Sequence, residues 1–197
     1  KRRLFDWQAL KFAVVNLDDA FGAELAQQLR EQDVEVIAYG LSDAAWHLAE
    51  RYGMRMVYGH LLEMGGRGMC LESRSSWGVC ELHSGLVGRF NAANLLGALA
   101  VLLVSEVTLQ DAVASLGRVQ PVAGRMQKMG TADQPTVIVD YAHTPDALEK
   151  VLLALREACV EPVNSTTTGG KLICVFGCGG DRDRGKRAMM GLVAEKF

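Results

Sequence analysis

The chain has 197 residues, with 21 Lys and Arg against 23 Asp and Glu for a formal net charge of -2, and 49% of it is hydrophobic. That is the composition of a globular protein with enough chain to bury a substantial apolar core, which excludes global disorder. Near-neutral charge with scattered basic residues also excludes capture of a polyanion such as nucleic acid by bulk electrostatics, so any phosphate recognition must be local.

The chain opens Lys1-Arg2-Arg3 without an initiator Met or the pattern of a signal peptide, and is expected to be a piece of a longer protein. Residues 12–15 read as a short apolar strand. Residues 19–30 follow as a helix with Phe21, Leu25 and Leu29 on one face, and residues 34–39 as a second strand. A strand, a helix and a strand in that order predict a βαβ unit on a parallel sheet. From 54 to 83 short β-like runs (56–58, 69–71, 79–82) are broken by glycines and Ser-rich turns, which predicts an antiparallel excursion. Residues 91–104 form a strongly apolar helix whose longest apolar run, 95–104, falls short of the ~20 residues that cross a membrane, so no transmembrane segment is expected. Thr108 opens another helix, with Leu109, Val113 and Leu116 on one face.

Gly117, Pro121 and Gly124 punctuate the chain, and a domain boundary is expected near Pro121 to Gly124. Beyond it, 136–139 read as a buried strand ending at Asp140. Thr144-Pro145 cap a helix with proline at its first position, where the missing N–H costs nothing. Leu148, Val151, Leu152 and Leu155 stripe that helix, with Glu149, Lys150 and Arg156 outward. A polar loop at 161–170, a buried strand at 172–176, a glycine turn at 177–180 and a helix at 186–196 start a second unit of the same kind. Five cysteines (Cys70, Cys80, Cys159, Cys174, Cys178), mostly in apolar stretches and without a Cys-x-x-Cys pair, read as buried reduced thiols of a cytosolic protein.

Ligands of open α/β sheets gather beyond the carboxyl ends of strands, which directs attention to Asp140 and to the glycine turn after Phe176. Asp140 can accept ribose hydroxyls, with His143 close enough in sequence to reach a phosphate; equally, its carboxylate can satisfy turn amides. Residues 180–187 fit G-x-x-x-x-G-K but end in Arg187, where a phosphate loop needs a hydroxyl for magnesium, and they place Asp181 and Asp183 in the cradle. A glycine turn is the better reading, with Arg182 and Arg184 able to pair bidentately with a carboxylate or phosphate, or simply solvated. Asn91 and Asn94 flank the start of the apolar helix: an amide can read an adenine edge, and Asn91 is also a good N-cap. Arg125 can reach a phosphate or lie on the surface.

Four segments in order, Gly88-Arg89-Phe90-Asn91-Ala92-Ala93-Asn94, Gly124-Arg125-Met126, Val139-Asp140-Tyr141-Ala142-His143-Thr144-Pro145 and the run from Gly177 to Arg187, resemble the Mur ligases. Their wording is most similar to members that add meso-diaminopimelate or, in some bacteria, lysine to UDP-N-acetylmuramoyl-L-alanyl-D-glutamate. The resemblance runs over the whole chain. It implies an α/β fold in which residues 1–123 are the C-terminal part of a central ATPase domain, and 124–197 the start of a dinucleotide-fold (Rossmann-like) C-terminal domain. The Gly-Lys-Thr phosphate loop and the Asp-Asn-Pro-Arg motif of the diaminopimelate-adding members are not in this sequence, and the polar loop at 160–170 is longer than usual.

What the resemblance implies chemically is ATP-driven amide formation through an acyl phosphate, with Mg2+ and fixed cations offsetting the gathered charge. By motif position Asn91 and Asn94 hold adenine, Asp140 the ribose, Arg125 and His143 the phosphates, and Arg182 a carboxylate of the incoming amino acid. Lys1-Arg2-Arg3-Leu4-Phe5 is similar to the segment whose lysine is carbamylated to help hold magnesium; a frayed basic terminus is the alternative for Lys1. The implied partners are UDP-N-acetylmuramoyl-dipeptide and meso-diaminopimelate, without nucleic acid or membrane, in a cytoplasmic enzyme that is monomeric at full length. The fragment alone is expected to be inactive. A non-catalytic nucleotide- or peptide-binding module is the reading from another class; a folylpolyglutamate synthetase relative would not be expected to show the 141–145 motif with this glycine turn. An upstream Gly-Lys-Thr loop and a downstream Asp-Asn-Pro-Arg discriminate ligase from module.

Overall fold

The computed structural model describes residues 2–32, 34–65, 68–130, 135–159, 171–180 and 183–197, and the chain divides into two compact units. The first comprises residues 1–63, 69–84 and 90–119; the second comprises 64–68, 85–89 and 120–197.

In the first unit β1 (Phe12–Asn16), α1 (Ala20–Arg30) and β2 (Glu35–Gly40) form the expected βαβ, with the two strands parallel in the register Val14↔Ile37. Asp19 caps α1 by accepting from the Phe21 and Gly22 amides at 2.8 and 3.4 Å. Leu25, Ala26 and Leu29 bury one side of α1 against Ala13, Val15, Val36 and Ala38 of the strands. An additional helix, α2 (Asp43–Arg51), follows β2. Only its small Ala45 and Ala49 are buried, so it carries no strong apolar stripe to read, although Ser42 caps it through the Ala45 amide at 3.1 Å.

The run from 54 onward is only partly antiparallel. β3 (Arg55–Gly65) is parallel to β2, and β4 (Gly68–Ser75) is antiparallel to β5 (Gly78–Ser84), in a five-stranded sheet ordered β1-β2-β3-β4-β5. Strand alternation alone does not carry strand direction, which is why β3 looked like its successors. α3 (Arg89–Val104) covers the sheet face opposite α1 and α2: a Cβ on Gly97 would stand 3.1 Å from the Tyr39 ring, and one on Gly59 2.6 Å from the Leu96 side chain. Both glycines therefore set how closely the helix approaches the strands. α4 (Leu109–Leu116), capped by Thr108 through the Asp111 amide, runs beside β5. No helix among the described residues is long and apolar enough to cross a membrane.

The second unit pairs β6 (Gln127–Met129) antiparallel with β7 (Val137–Val139), and β7 leads into α5 (Pro145–Cys159). Thr144 and Pro145 start α5 as expected, with the Thr144 hydroxyl accepting from the Ala147 amide at 3.3 Å. The stripe of α5 splits between two cores. Val151, Ala154 and Leu155 pack with Val87, Met126 and Ile138, while Leu148 and Leu152 pack with Met190 of α6 (Gly185–Lys196) and with Leu172 and Cys174.

Two expectations fail here. β7 is not buried, since Val137 and Val139 are 52% and 40% exposed, because only the Ile138 side faces a core. Residues 172–176 are not a strand: no ladder partner among the described residues pairs with them, and Val175 is 92% exposed. Their alternation survives as packing, with Leu172 and Cys174 inward and Ile173 and Val175 outward. Cys70, Cys80, Cys174 and Cys178 are free thiols, and of these four Cys70 is buried and the others half-buried. Burial pushes the Cys80 and Cys174 thiols up, which keeps them protonated.

A tight constraint of the first unit is Gly22, where a Cβ would fall 1.9 Å from the Asn16 carbonyl oxygen. Gly22→Ala gains up to ~1 kcal/mol of helix propensity, but such overpacking against backbone costs ~1–3 kcal/mol or more. The expected net effect is a loss of about 1–2 kcal/mol, read as a lower urea midpoint at unchanged slope. A raised midpoint would show that α1 does not press on β1.

Candidate functional site

The candidate groups occupy both units. In the first, Asn91 and Asn94 lie in the opening turns of α3, which starts at Arg89, so Asn91 is an interior residue and not the N-cap. Ala92, Leu95, Leu96, Leu99 and Leu103 face the core, and the i,i+3 spacing puts the two amides together on another side. Asn94 Nδ2 donates to Asn91 Oδ1 at 3.4 Å, a long bond that leaves further donor and acceptor capacity on the exposed Asn94.

In the second unit the site is built around the end of β7. Asp140 accepts the Met126 amide on Oδ2 at 2.9 Å and the Ala142 amide on Oδ1 at 2.8 Å. The turn-amide role of Asp140 is therefore present in the structure. Each oxygen keeps lone-pair capacity beyond its one N–H, so a second role toward a ligand is compatible with it. Met126 is buried at φ +46°, a left-handed conformation that a side chain rarely adopts, and Gly124 beside it sits at φ +70°. The Gly-Arg-Met segment thus turns sharply and leaves Arg125 exposed between two fixed neighbours.

Arg125, Tyr141 and His143 form one exposed array. The Arg125 guanidinium lies 5.1 Å from the Tyr141 ring centroid, and the Tyr141 and His143 rings meet edge-on at 5.1 Å and 61°. His143 Nδ1 stands 3.0 Å from the Tyr141 carbonyl; in the tautomer that donates this bond, Nε2 keeps its lone pair. Lys186 Nζ, from the first turn of α6, donates to the His143 carbonyl at 3.5 Å. Three nitrogenous side chains are thereby gathered at one strand end, a set suited to an anion.

Tyr141 and Lys186 each lie inside a sequence motif, but neither is given a role by the sequence alone. Lys186 depends on α6 folding back toward 143, which no local pattern announces. The glycine turn itself is open: Gly180 adopts φ +80°, Arg187 donates to its carbonyl at 2.9 Å, and Asp183 accepts the Lys186 amide at 3.3 Å. Asp183, one residue before the Arg184 N-cap, thus commits a carboxylate oxygen to an amide in the first turn of α6. Lys1 and Arg182, assigned to carbamylation and to the amino-acid substrate, lie outside the described residues.

The fold and these groups define an α/β protein with candidate ligand residues at a strand end and on the opening turns of a helix. Two family profiles match it: the Mur ligase middle domain over residues 1–102, and the Mur ligase glutamate ligase domain over 124–197. The chain belongs to the Mur ligase family. It is 50% identical over 197 residues to the UDP-N-acetylmuramoyl-L-alanyl-D-glutamate--2,6-diaminopimelate ligase of Chromobacterium violaceum, covering 100% of this chain and 36% of that protein. It is 43% identical over 200 residues to the ligase of the same name from Nitrosomonas europaea, covering 100% and 38%. A solved structure titled for the same ligase superposes with a TM-score of 0.66 at 32% identity, covering 98% of this chain and 36% of that one. The chain therefore spans little more than a third of these relatives.

Asp140 supplies the test of this geometry. Asp140→Ala leaves two part-buried amides without their acceptor, at a cost of about 1–3 kcal/mol, whereas Asp140→Asn keeps one acceptor oxygen and should lose roughly half as much. Chemical denaturation followed by far-ultraviolet circular dichroism measures both. Two variants as stable as the parent would show that the amides do not depend on the carboxylate.

Proposed function

We propose that this chain is part of an ATP-dependent ligase of peptidoglycan precursor synthesis that joins meso-diaminopimelate to UDP-N-acetylmuramoyl-L-alanyl-D-glutamate. The observation that carries the reading is 50% identity, extending over the whole chain, to a ligase named for that reaction. In this reading residues 1–123 are the latter part of the central ATPase domain, and 124–197 the beginning of the C-terminal domain.

Each unit by itself carries groups of the kinds a nucleotide uses. Asn91 and Asn94 offer paired amide donors and acceptors for an adenine edge, and the spare lone pairs of Asp140 accept ribose hydroxyls. Arg125 and His143 bind the phosphates, and the Tyr141 ring lies against both, facing the guanidinium and edge-on to the imidazole. ATP supplies the phosphoryl group that converts the substrate carboxylate to an acyl phosphate, from which the incoming amine displaces phosphate. In this reading a carbamylated Lys1 would help hold the Mg2+ that accompanies the nucleotide. Arg182 pairs with a carboxylate of the amino acid. The enzyme works in the cytoplasm as a monomer.

Two outcomes test this. The 197-residue chain alone should release no phosphate from ATP in the presence of both substrates, since it lacks the loop that binds β- and γ-phosphates; release at the rate of the complete enzyme would overturn that assignment. In the complete enzyme, Arg182→Ala removes a charge-assisted pair worth ~1.5–3 kcal/mol, so KM for diaminopimelate should rise roughly ten- to a hundredfold. KM for ATP should move much less, and Arg182→Lys should rescue only part of the loss, because an ammonium cannot reproduce the planar fork. Equal damage to the ATP constant would put Arg182 on the phosphates instead.

A further inference from the structure

On the β4–β5 pair, in the first unit, the cross-strand register sets Cys70 opposite His83, and strand alternation puts Glu81 on the same face as His83. Glu81 Oε1 lies 3.4 Å from Cys70 Sγ and 2.7 Å from His83 Nε2. A thiol sulfur, an imidazole nitrogen and a carboxylate oxygen thus converge, all within 4.8 Å of one another. Donor atoms around a tetrahedral ion with ~2.3 Å sulfur and ~2.0 Å nitrogen bonds stand roughly 3.5 Å apart, so only small side-chain rotations separate this cluster from a coordination shell. Cys70 is buried while Glu81 and His83 are exposed, which gives the cluster a fixed floor and an open entrance.

We propose that Cys70, Glu81 and His83 form a binding site for a zinc-type divalent cation on the outer face of the β4–β5 pair. The mixed sulfur, nitrogen and oxygen set selects a borderline-soft ion over magnesium or calcium, which prefer oxygen alone. Solvent completes the shell on the open side. Burial, the hydrogen bond to Glu81 and the negative charges of Glu81 and Glu63 push the Cys70 thiol up to about 11 without metal. Binding breaks the S–H bond, forms the sulfur–metal bond and releases the proton to solvent. An exposed His–Glu pair would contribute only ~0–1 kcal/mol by itself, so stability alone gives little reason for these three groups to share a point. The site shares no residue with the nucleotide set and does not rest on the ligase reading.

Cobalt reports directly on thiolate ligation. Titrating Co2+ into the whole reduced, chelator-treated chain should produce a thiolate-to-cobalt charge-transfer band that saturates at a single equivalent and is displaced by Zn2+. The band should vanish in Cys70→Ser and persist in Cys80→Ser. Outer-shell partners of metal sites already cost 10–100-fold in affinity, so His83→Gln and Glu81→Gln should each weaken Co2+ binding at least about tenfold. His83 and Glu81 are exposed, so these two variants carry the test even if Cys70→Ser fails to fold. No band, a band that survives Cys70→Ser, or unchanged affinity in His83→Gln overturns the proposal.

Discussion

A carboxylate shared between two backbone amides organises the strand end on which the candidate site of the second unit stands. Asp140 holds the Met126 amide at 2.9 Å and the Ala142 amide at 2.8 Å, tying the turn before β6 to the turn after β7. Met126 pays ~1–2 kcal/mol for its left-handed backbone. Burying its side chain among Val87, Ile138, Val151, Ala154 and Leu155 contributes ~1.5–3 kcal/mol in the other direction, and the bond to a charged acceptor adds to that. The turn is held from both sides, by packing and by charge. Arg125 and Tyr141, next to Met126 and Asp140 in the chain, are displayed because their neighbours are fixed.

The first unit uses the same device. Asp18, just past β1, accepts the Leu41 and Ser42 amides beyond β2 at 2.6 and 3.1 Å, joining two strand ends as Asp140 joins two turns. Gly40 makes room for it, since a Cβ there would stand 3.2 Å from the Asp18 carboxylate and 2.7 Å from Ala45. An aspartate at a strand end is therefore a structural part in this chain before it is anything else. For Asp140 the two roles coexist: a carboxylate whose orientation is fixed by amides is also one whose remaining lone pairs point in a set direction.

Much of this architecture was legible in the residues. The first strand, helix and strand, the apolar α3, the Thr108 cap and the Thr144-Pro145 start of α5 follow from period and capping chemistry, which are local. What escaped depends on partners distant in sequence. α2 buries only two alanines; β3 takes its direction from β2; residues 172–176 alternate like a strand but have no ladder partner among the described residues. The site divides the same way. Asp140 was visible as a strand-end carboxylate, whereas its amide partner at Met126, the approach of Lys186 to the His143 carbonyl and the meeting of Cys70 with Glu81 and His83 all require folded geometry.

The most direct test of this account is amide hydrogen exchange read residue by residue without nucleotide. If the Asp140 clasp is built into the fold, the Met126 and Ala142 amides are protected before any ligand is added. Exchange of Met126 and Ala142 at unprotected rates without nucleotide would contradict it, because the strand end would then be organised by something other than Asp140.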